Sequence, residues 1–322
     1  MTSLRLLLIV SVAVFSAPTL ALEFPHTDVN CGVTTHYEAP PQRAVTLSNN
    51  ATEIMLALGL EEHMAGTSYM GNLEISQQYA AAYEQIPVLS PLIATTEQLL
   101  DAEADFVYAG YPDGFSERWH TRAQLHDIGM STRLAVEGCN LGRFDFPDLW
   151  EELHSVAAIF GVPERSAALV ESLQARLDDV AKALEGVEPV DVLIYNGGDA
   201  PPRAALGNTM LNSIVKHAGG QNIFGDIETR YGTVSWEDIL DRNPDHIVVF
   251  YSLTEAGQLV ANPDSEIAGA RIELLSSAAI LADVTAVREG RFTPLSSLQG
   301  QPGPSSVDAV ERLARVFHPD RF

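Results

Sequence analysis

Chemistry in this chain would have to come from a handful of polar groups, because the usual catalytic signatures do not occur. There is no G-x-S-x-G turn to raise a nucleophilic serine. There is also no Walker loop for phosphate, no H-E-x-x-H pair for zinc and no G-x-G-x-x-G for a dinucleotide. Gly197-Gly198 is a lone glycine pair and reads as a turn. The nine histidines are scattered without paired spacing, so no bare metal site is expected. What does repeat is a spacing of acids. Glu97-Gln98-Leu99-Leu100 leads to Asp105-Phe106-Val107, and Glu237-Asp238-Ile239-Leu240 leads to Asp245-His246-Ile247. Each places Glu eight residues before an Asp-led apolar run, as two lobes of similar build would. A glutamate at such a helix start is favourable to the helix dipole whether or not it does anything else.

The elements that would position these groups alternate. Ala44 to Leu47 reads as a strand ending in the polar cluster Ser48-Asn49-Asn50, and a helix follows over Thr52 to Leu60. Thr95 to Ala102 is amphipathic, Phe106 to Ala109 is strand-like, and Gln124 to Ile128 ends a further helix at Gly129. Two helical stretches come next, Pro147 to Phe160 and Glu164 to Glu185, with Gly161-Val162-Pro163 between them. Unbroken, they would span about 57 Å at 1.5 Å per residue, which suits a strut between lobes. A second alternating pattern follows: a strand over Val190 to Tyr195, a helix over Met210 to His217, a short helix from Trp236, a buried-type strand over His246 to Tyr251, and a last helix over Asp308 to Phe317.

The chain has 322 residues, long for one compact domain. Forty-three acids against nineteen bases give a net charge of −24, which argues against nucleic acid and anionic lipid as partners. Arg5, the apolar run Leu6 to Phe15 and Thr19-Leu20-Ala21 form the n-region, h-region and cleavage site of a signal peptide over residues 1–21. The expectation is an exported chain with no membrane insertion of its mature part. In an exported chain the pair Cys31 and Cys139 points to one disulfide, although two separate buried thiols would have the same count. Closing a loop of that length stabilises by roughly 4–5 kcal/mol in the chain-entropy model.

Several stretches, in this order, resemble one family. Pro40-Pro41-Gln42-Arg43-Ala44-Val45-Thr46-Leu47 through Ala51-Thr52-Glu53-Ile54 and Leu58-Gly59-Leu60 is similar to the opening of periplasmic substrate-binding proteins for siderophores, haem and cobalamin. Thr96-Glu97-Gln98-Leu99-Leu100, Gly161-Val162-Pro163-Glu164 and Gly207-Asn208-Thr209-Met210-Leu211 continue the likeness. So do Gly219-Gly220-Gln221-Asn222, Val234-Ser235-Trp236-Glu237 and Pro302-Gly303-Pro304-Ser305-Ser306. The likeness runs over roughly residues 40–318.

The resemblance implies an α/β fold of two Rossmann-like lobes joined by a single long helix, the class III arrangement. The expected division is a signal peptide over 1–21, a first lobe over 22–145, a connecting helix over 146–187 and a second lobe over 188–322. It implies a periplasmic monomer, not an enzyme and without a cofactor, that delivers a metal chelate to the permease of an inner-membrane ABC importer. Glu97 and Glu237 match the glutamates that dock on permease arginines. Ligand contacts would come from loops after the strands: Ser48, Asn49, Asn50, Tyr69 and Tyr111 in the first lobe, and Asn196, Arg203, Arg230 and Tyr231 in the second. A ferric siderophore is the first expectation and cobalamin or haem the alternative, haem needing an axial Tyr or His. Relatives often carry Arg where this chain has Ser305, which counts against a carboxylate-rich siderophore. From another class, an exported hydrolase could work with carboxylates alone.

Overall fold

The computed structural model describes residues 24–68, 75–139, 142–252, 254–255, 258–259 and 264–322. The expected signal peptide and Tyr69 lie outside the described residues. Among those described, no helix is long and apolar enough to cross a membrane.

The chain opens with a hairpin of β1 (His26–Asn30) and β2 (Val33–Tyr37). The first lobe is then built on a parallel sheet of β3 (Ala44–Thr46), β4 (Met64–Ser68), β5 (Val88–Ser90), β6 (Phe106–Ala109) and β7 (Ser131–Leu134). Its order is β5-β4-β3-β6-β7. Every residue of β3 and β6 is buried, as expected for central parallel strands covered on both faces. Helices α1 (Asn49–Ala57), α2 (Thr96–Asp101) and α3 (Arg122–Asp127) connect these strands. Helix α1 begins three residues earlier than its apolar spacing suggests. Ser48 supplies the cap, accepting a hydrogen bond from the Ala51 amide at 3.4 Å, so both asparagines join the first turn.

Residues 146–187 hold two helices, not one rod: α4 (Phe146–Ile159) and α5 (Pro163–Ala183). Gly161 adopts φ +71°, a left-handed conformation that ends α4, and Pro163 starts α5. Helix α4 packs its apolar face into the first lobe through Leu149, Leu153 and Val156. The strut is therefore α5 alone, about 31 Å long at 1.5 Å per residue. It is fastened at two levels. Arg165 donates to the carbonyls of Leu58 and Gly59 at 3.1 and 2.6 Å, where α1 of the first lobe ends. Eleven residues on, Arg176 pairs with Asp308 at 2.6 Å and Glu311 at 2.7 Å in the second lobe. Bidentate arginine contacts of this kind fix orientation as well as distance.

The second lobe is a mixed sheet with central strands β8 (Val190–Tyr195) and β12 (His246–Tyr251) and, beside β12, β13 (Phe292–Ser296), all parallel. On its other edge β8 pairs with β9 (Arg203–Ala205) and with β10 (Gly220–Asn222), and β9 pairs with β11 (Tyr231–Thr233). Helices α6 (Met210–His217), α7 (Trp236–Arg242), α8 (Gly269–Ser277) and α9 (Ser305–Phe317) surround it.

Cys31 and Cys139 are disulfide-bonded, tying the tip of the β1–β2 hairpin to the end of the first lobe. The hairpin is also held by a buried ionic network. Arg133, 2% exposed, bridges Asp28 at 2.7 Å and Glu152 at 3.0 Å, and the Tyr108 hydroxyl donates to Glu152 at 2.5 Å. Each charge has a partner and hydrogen bonds, the condition under which buried ions are tolerated.

Candidate ligand cleft

The carboxyl ends of the parallel strands in both lobes meet at the lobe boundary, where ligands bind in open α/β sheets. On the first lobe, β3 runs into Ser48, Asn49 and Asn50, each no more than 1% exposed. β6 runs into Gly110. A Cβ on Gly110 would lie 2.1 Å from Asn50 Oδ1 and 2.2 Å from Ser48 Oγ, so only glycine lets the two loops approach this closely. Tyr111 follows directly and is half-buried. Ser48, Asn49, Asn50 and Tyr111 are thus brought together.

This wall carries unmade hydrogen bonds. Among the described residues Asn50 Oδ1, Asn50 Nδ2 and Asn49 Nδ2 are buried with no partner. On the second lobe, in the stretch after β13, Ser297 Oγ and Gln301 Oε1 are in the same condition. A buried polar group left unpaired costs roughly 1–3 kcal/mol, and most proteins leave few. These groups follow the ends of β3 and β13, where a ligand would supply the missing partners if one bound there.

Three carboxylates of the first lobe reach across to the second. Glu53, fully buried on α1, accepts a hydrogen bond from the Ser305 hydroxyl at the start of α9. Gly303 passes so close that a Cβ there would lie 2.7 Å from Glu53 Oε2. Glu137 accepts from the Met210 amide at 3.2 Å, at the start of α6, and pairs with Arg230 at 2.7 Å. Burial, outweighing the attraction of Arg230, raises the Glu137 carboxyl above its ordinary range. Asp145, which caps α4, accepts from Ser213 and from His217 Nε2 at 2.9 Å on α6. Burial works against its charge, but the hydrogen bonds from His217, Ser213 and the Phe146 amide prevail and hold it well below the usual carboxylate range.

The remaining expected contacts lie on or beside the paired strands β8, β9 and β11. Asn196 is half-buried at the end of β8, its amide donating to the Arg203 carbonyl at 2.8 Å, while Arg203 itself is exposed. The Arg230 guanidinium lies 6.0 Å from the Tyr231 ring centre and is committed to Glu137. Burial raises the Tyr231 phenol well above its ordinary value.

Glu97 and Glu237 occupy the same position in their helices. Each is the second residue, after Thr95 and Ser235 caps that accept from the third residue's amide, and each is exposed. Sequence reading missed Glu53 and Glu137. An acid in the apolar stripe of α1 could have signalled Glu53, whereas Glu137 sits in a short turn with no periodicity to betray it.

Two α/β lobes on one helical strut, with unpaired polar groups after the strand ends of each, define a class III binding protein fold. The chain belongs to the periplasmic binding protein family, whose profile matches residues 45–297. It is 24% identical over 308 residues to a cobalamin-binding protein of Halobacterium salinarum, covering 92% of this chain and 75% of that protein. Among solved structures, a periplasmic binding protein from Veillonella parvula superposes with a TM-score of 0.81 at 26% identity, covering 91% of this chain and 97% of that one. An ABC-type Fe3+-hydroxamate transport protein from Saccharomonospora viridis superposes at 0.74 with 25% identity, covering 92% and 99%.

Proposed function

We propose that this protein is the periplasmic substrate-binding component of an ABC importer, that it catalyses no reaction, and that its cargo is a metal chelate with an uncharged, hydrogen-bonding periphery. The observation that carries this is the set of buried, unpartnered side-chain atoms after two strand ends: Asn49 Nδ2 and both polar atoms of Asn50 after β3, and Ser297 Oγ and Gln301 Oε1 after β13. Neutral amides complement neutral donors and acceptors. The nearby charges are already spent: Arg230 on Glu137, and Glu53 on Ser305. A polyanionic chelate would have to displace Glu137 to pair with Arg230.

A ferric hydroxamate fits this chemistry, and the likeness to the Saccharomonospora viridis protein supports it. A corrinoid with amide side chains is the second reading, since asparagine pairs with primary amides through two hydrogen bonds; the Halobacterium salinarum relative supports it. Cargo passes to the permease through Glu97 and Glu237, whose carboxylates suit bidentate arginine contacts.

Tryptophan fluorescence titration of the purified protein with a ferric trihydroxamate, cyanocobalamin, haemin and a ferric triscatecholate tests the proposal. Saturable quenching by the hydroxamate or by cyanocobalamin, with none by the triscatecholate, is expected. Silence toward all four, or binding of the triscatecholate alone, overturns it.

A further inference from the structure

The turn over residues 136–139 joins two features that otherwise look unrelated, the disulfide and the contact between lobes. It is a single turn of 3-10 helix with Glu137 at its second position and Cys139 at its end. On the first-lobe side it is tied at both ends. The Val136 amide donates to Glu152 Oε2 at 3.1 Å, and Cys139 is bonded to Cys31. The Asn30 side chain clasps both backbone groups of Leu134, just before the turn, at 2.8 Å. Across the boundary, Glu137 holds the Met210 amide and Arg230 of the second lobe. A turn this short, with little backbone bonding of its own, keeps its shape mainly through its ends.

We propose that the Cys31–Cys139 disulfide is a redox-sensitive latch: intact, it fixes the turn that presents Glu137 to the second lobe, and its reduction releases that lobe contact. Cys31 is exposed, so an external dithiol can reach it. A thiolate of the dithiol attacks Cys31 Sγ, the S–S bond breaks, and Cys139 leaves as a thiolate that takes up a proton. The second thiol then closes on the mixed disulfide. The reductant departs as a cyclic disulfide, having given two electrons, and Cys31 is freed as a thiol. The latch concerns how the lobes are held and does not depend on which chelate is bound.

Coupling of this kind is reciprocal, which allows a test from both sides. In the wild-type protein treated with dithiothreitol, the Met210 amide should exchange hydrogen roughly tenfold faster or more, while Val107 in β6 and Val248 in β12 keep their protection. Unchanged exchange at Met210 overturns the proposal. So does loss at all three sites together, since a general staple behaves that way. From the other side, Glu137→Ala with the disulfide intact should shift the reduction equilibrium in a dithiothreitol buffer about tenfold toward the thiols, or about 30 mV for two electrons. Glu137→Gln, which keeps an acceptor for Met210 but drops the ion pair, should fall between. An equilibrium identical to wild type in both variants overturns the proposal, and the dithiothreitol arm decides the matter if Glu137→Ala fails to fold.

Discussion

Glu53 and Ser305, separated by 252 residues, share a buried hydrogen bond that joins the first helix of one lobe to the last helix of the other. The carboxylate sits at the amino end of α9, where the helix dipole favours negative charge. The hydroxyl is a compact partner where a larger cation would reorganise the contact.

Removing that partner should be costly. Ser305→Ala leaves Glu53 buried with one hydrogen bond fewer, and the expected loss is about 1–3 kcal/mol of unfolding free energy. Urea denaturation monitored by far-ultraviolet circular dichroism measures it. A variant within about 0.5 kcal/mol of wild type, the scatter of ordinary surface changes, would show that the bond does not hold the lobes.

Asn50 should behave in the opposite way. Its two side-chain polar atoms are unsatisfied, so Asn50→Ala removes a cost along with the side chain. Unliganded stability is expected to stay level or rise, while affinity for the chelate identified by titration falls about tenfold, or 1.4 kcal/mol. Isothermal titration and thermal melting together decide it. Lower stability with unchanged affinity would assign Asn50 to the scaffold.

Much of the scaffold was legible because it rests on local rules. The runs at Phe106–Ala109, Val190–Tyr195 and His246–Tyr251 are strands as read, being short, apolar and bounded by turn residues. Gly161-Val162-Pro163 marked the break that separates α4 from α5. The matched settings of Glu97 and Glu237 were also visible, since a cap and its following acid are neighbours in sequence. The lobe boundary was not. Glu53 meets Ser305, and Glu137 meets Arg230, only after two domains have folded and docked, and no periodicity encodes such a meeting. Arg230 read only as a ligand contact for the same reason: its partner Glu137 lies on another lobe.

Charge reversal at the two matched glutamates tests the docking assignment. Glu97→Arg and Glu237→Arg replace exposed side chains at helix starts, so chelate affinity should not move. Stimulation of the cognate permease's ATPase in proteoliposomes should fall at least tenfold in each, and further in the double variant. Full stimulation by the double variant would remove both residues from the docking surface.

His246 makes the fold sensitive to acid. Its ring is 6% exposed in β12, with Nε2 2.8 Å from the Thr293 hydroxyl and its edge against Phe317. Burial first, and then the positive charge of Arg291, lower its pKa from 6.5 to about 4. The folded state thus holds this imidazole neutral where the unfolded chain would protonate it. Between those two values the unfolded state binds more protons, so the contribution of His246 is complete above pH 6.5 and is lost as pH falls toward 4. At 1.36 kcal/mol per unit the full swing is on the order of 3 kcal/mol. Denaturation at pH 4.5, 5.5 and 7 should show wild type losing more stability on acidification than His246→Asn, which cannot titrate. Parallel pH profiles for the two proteins would mean that another group governs the acid limb.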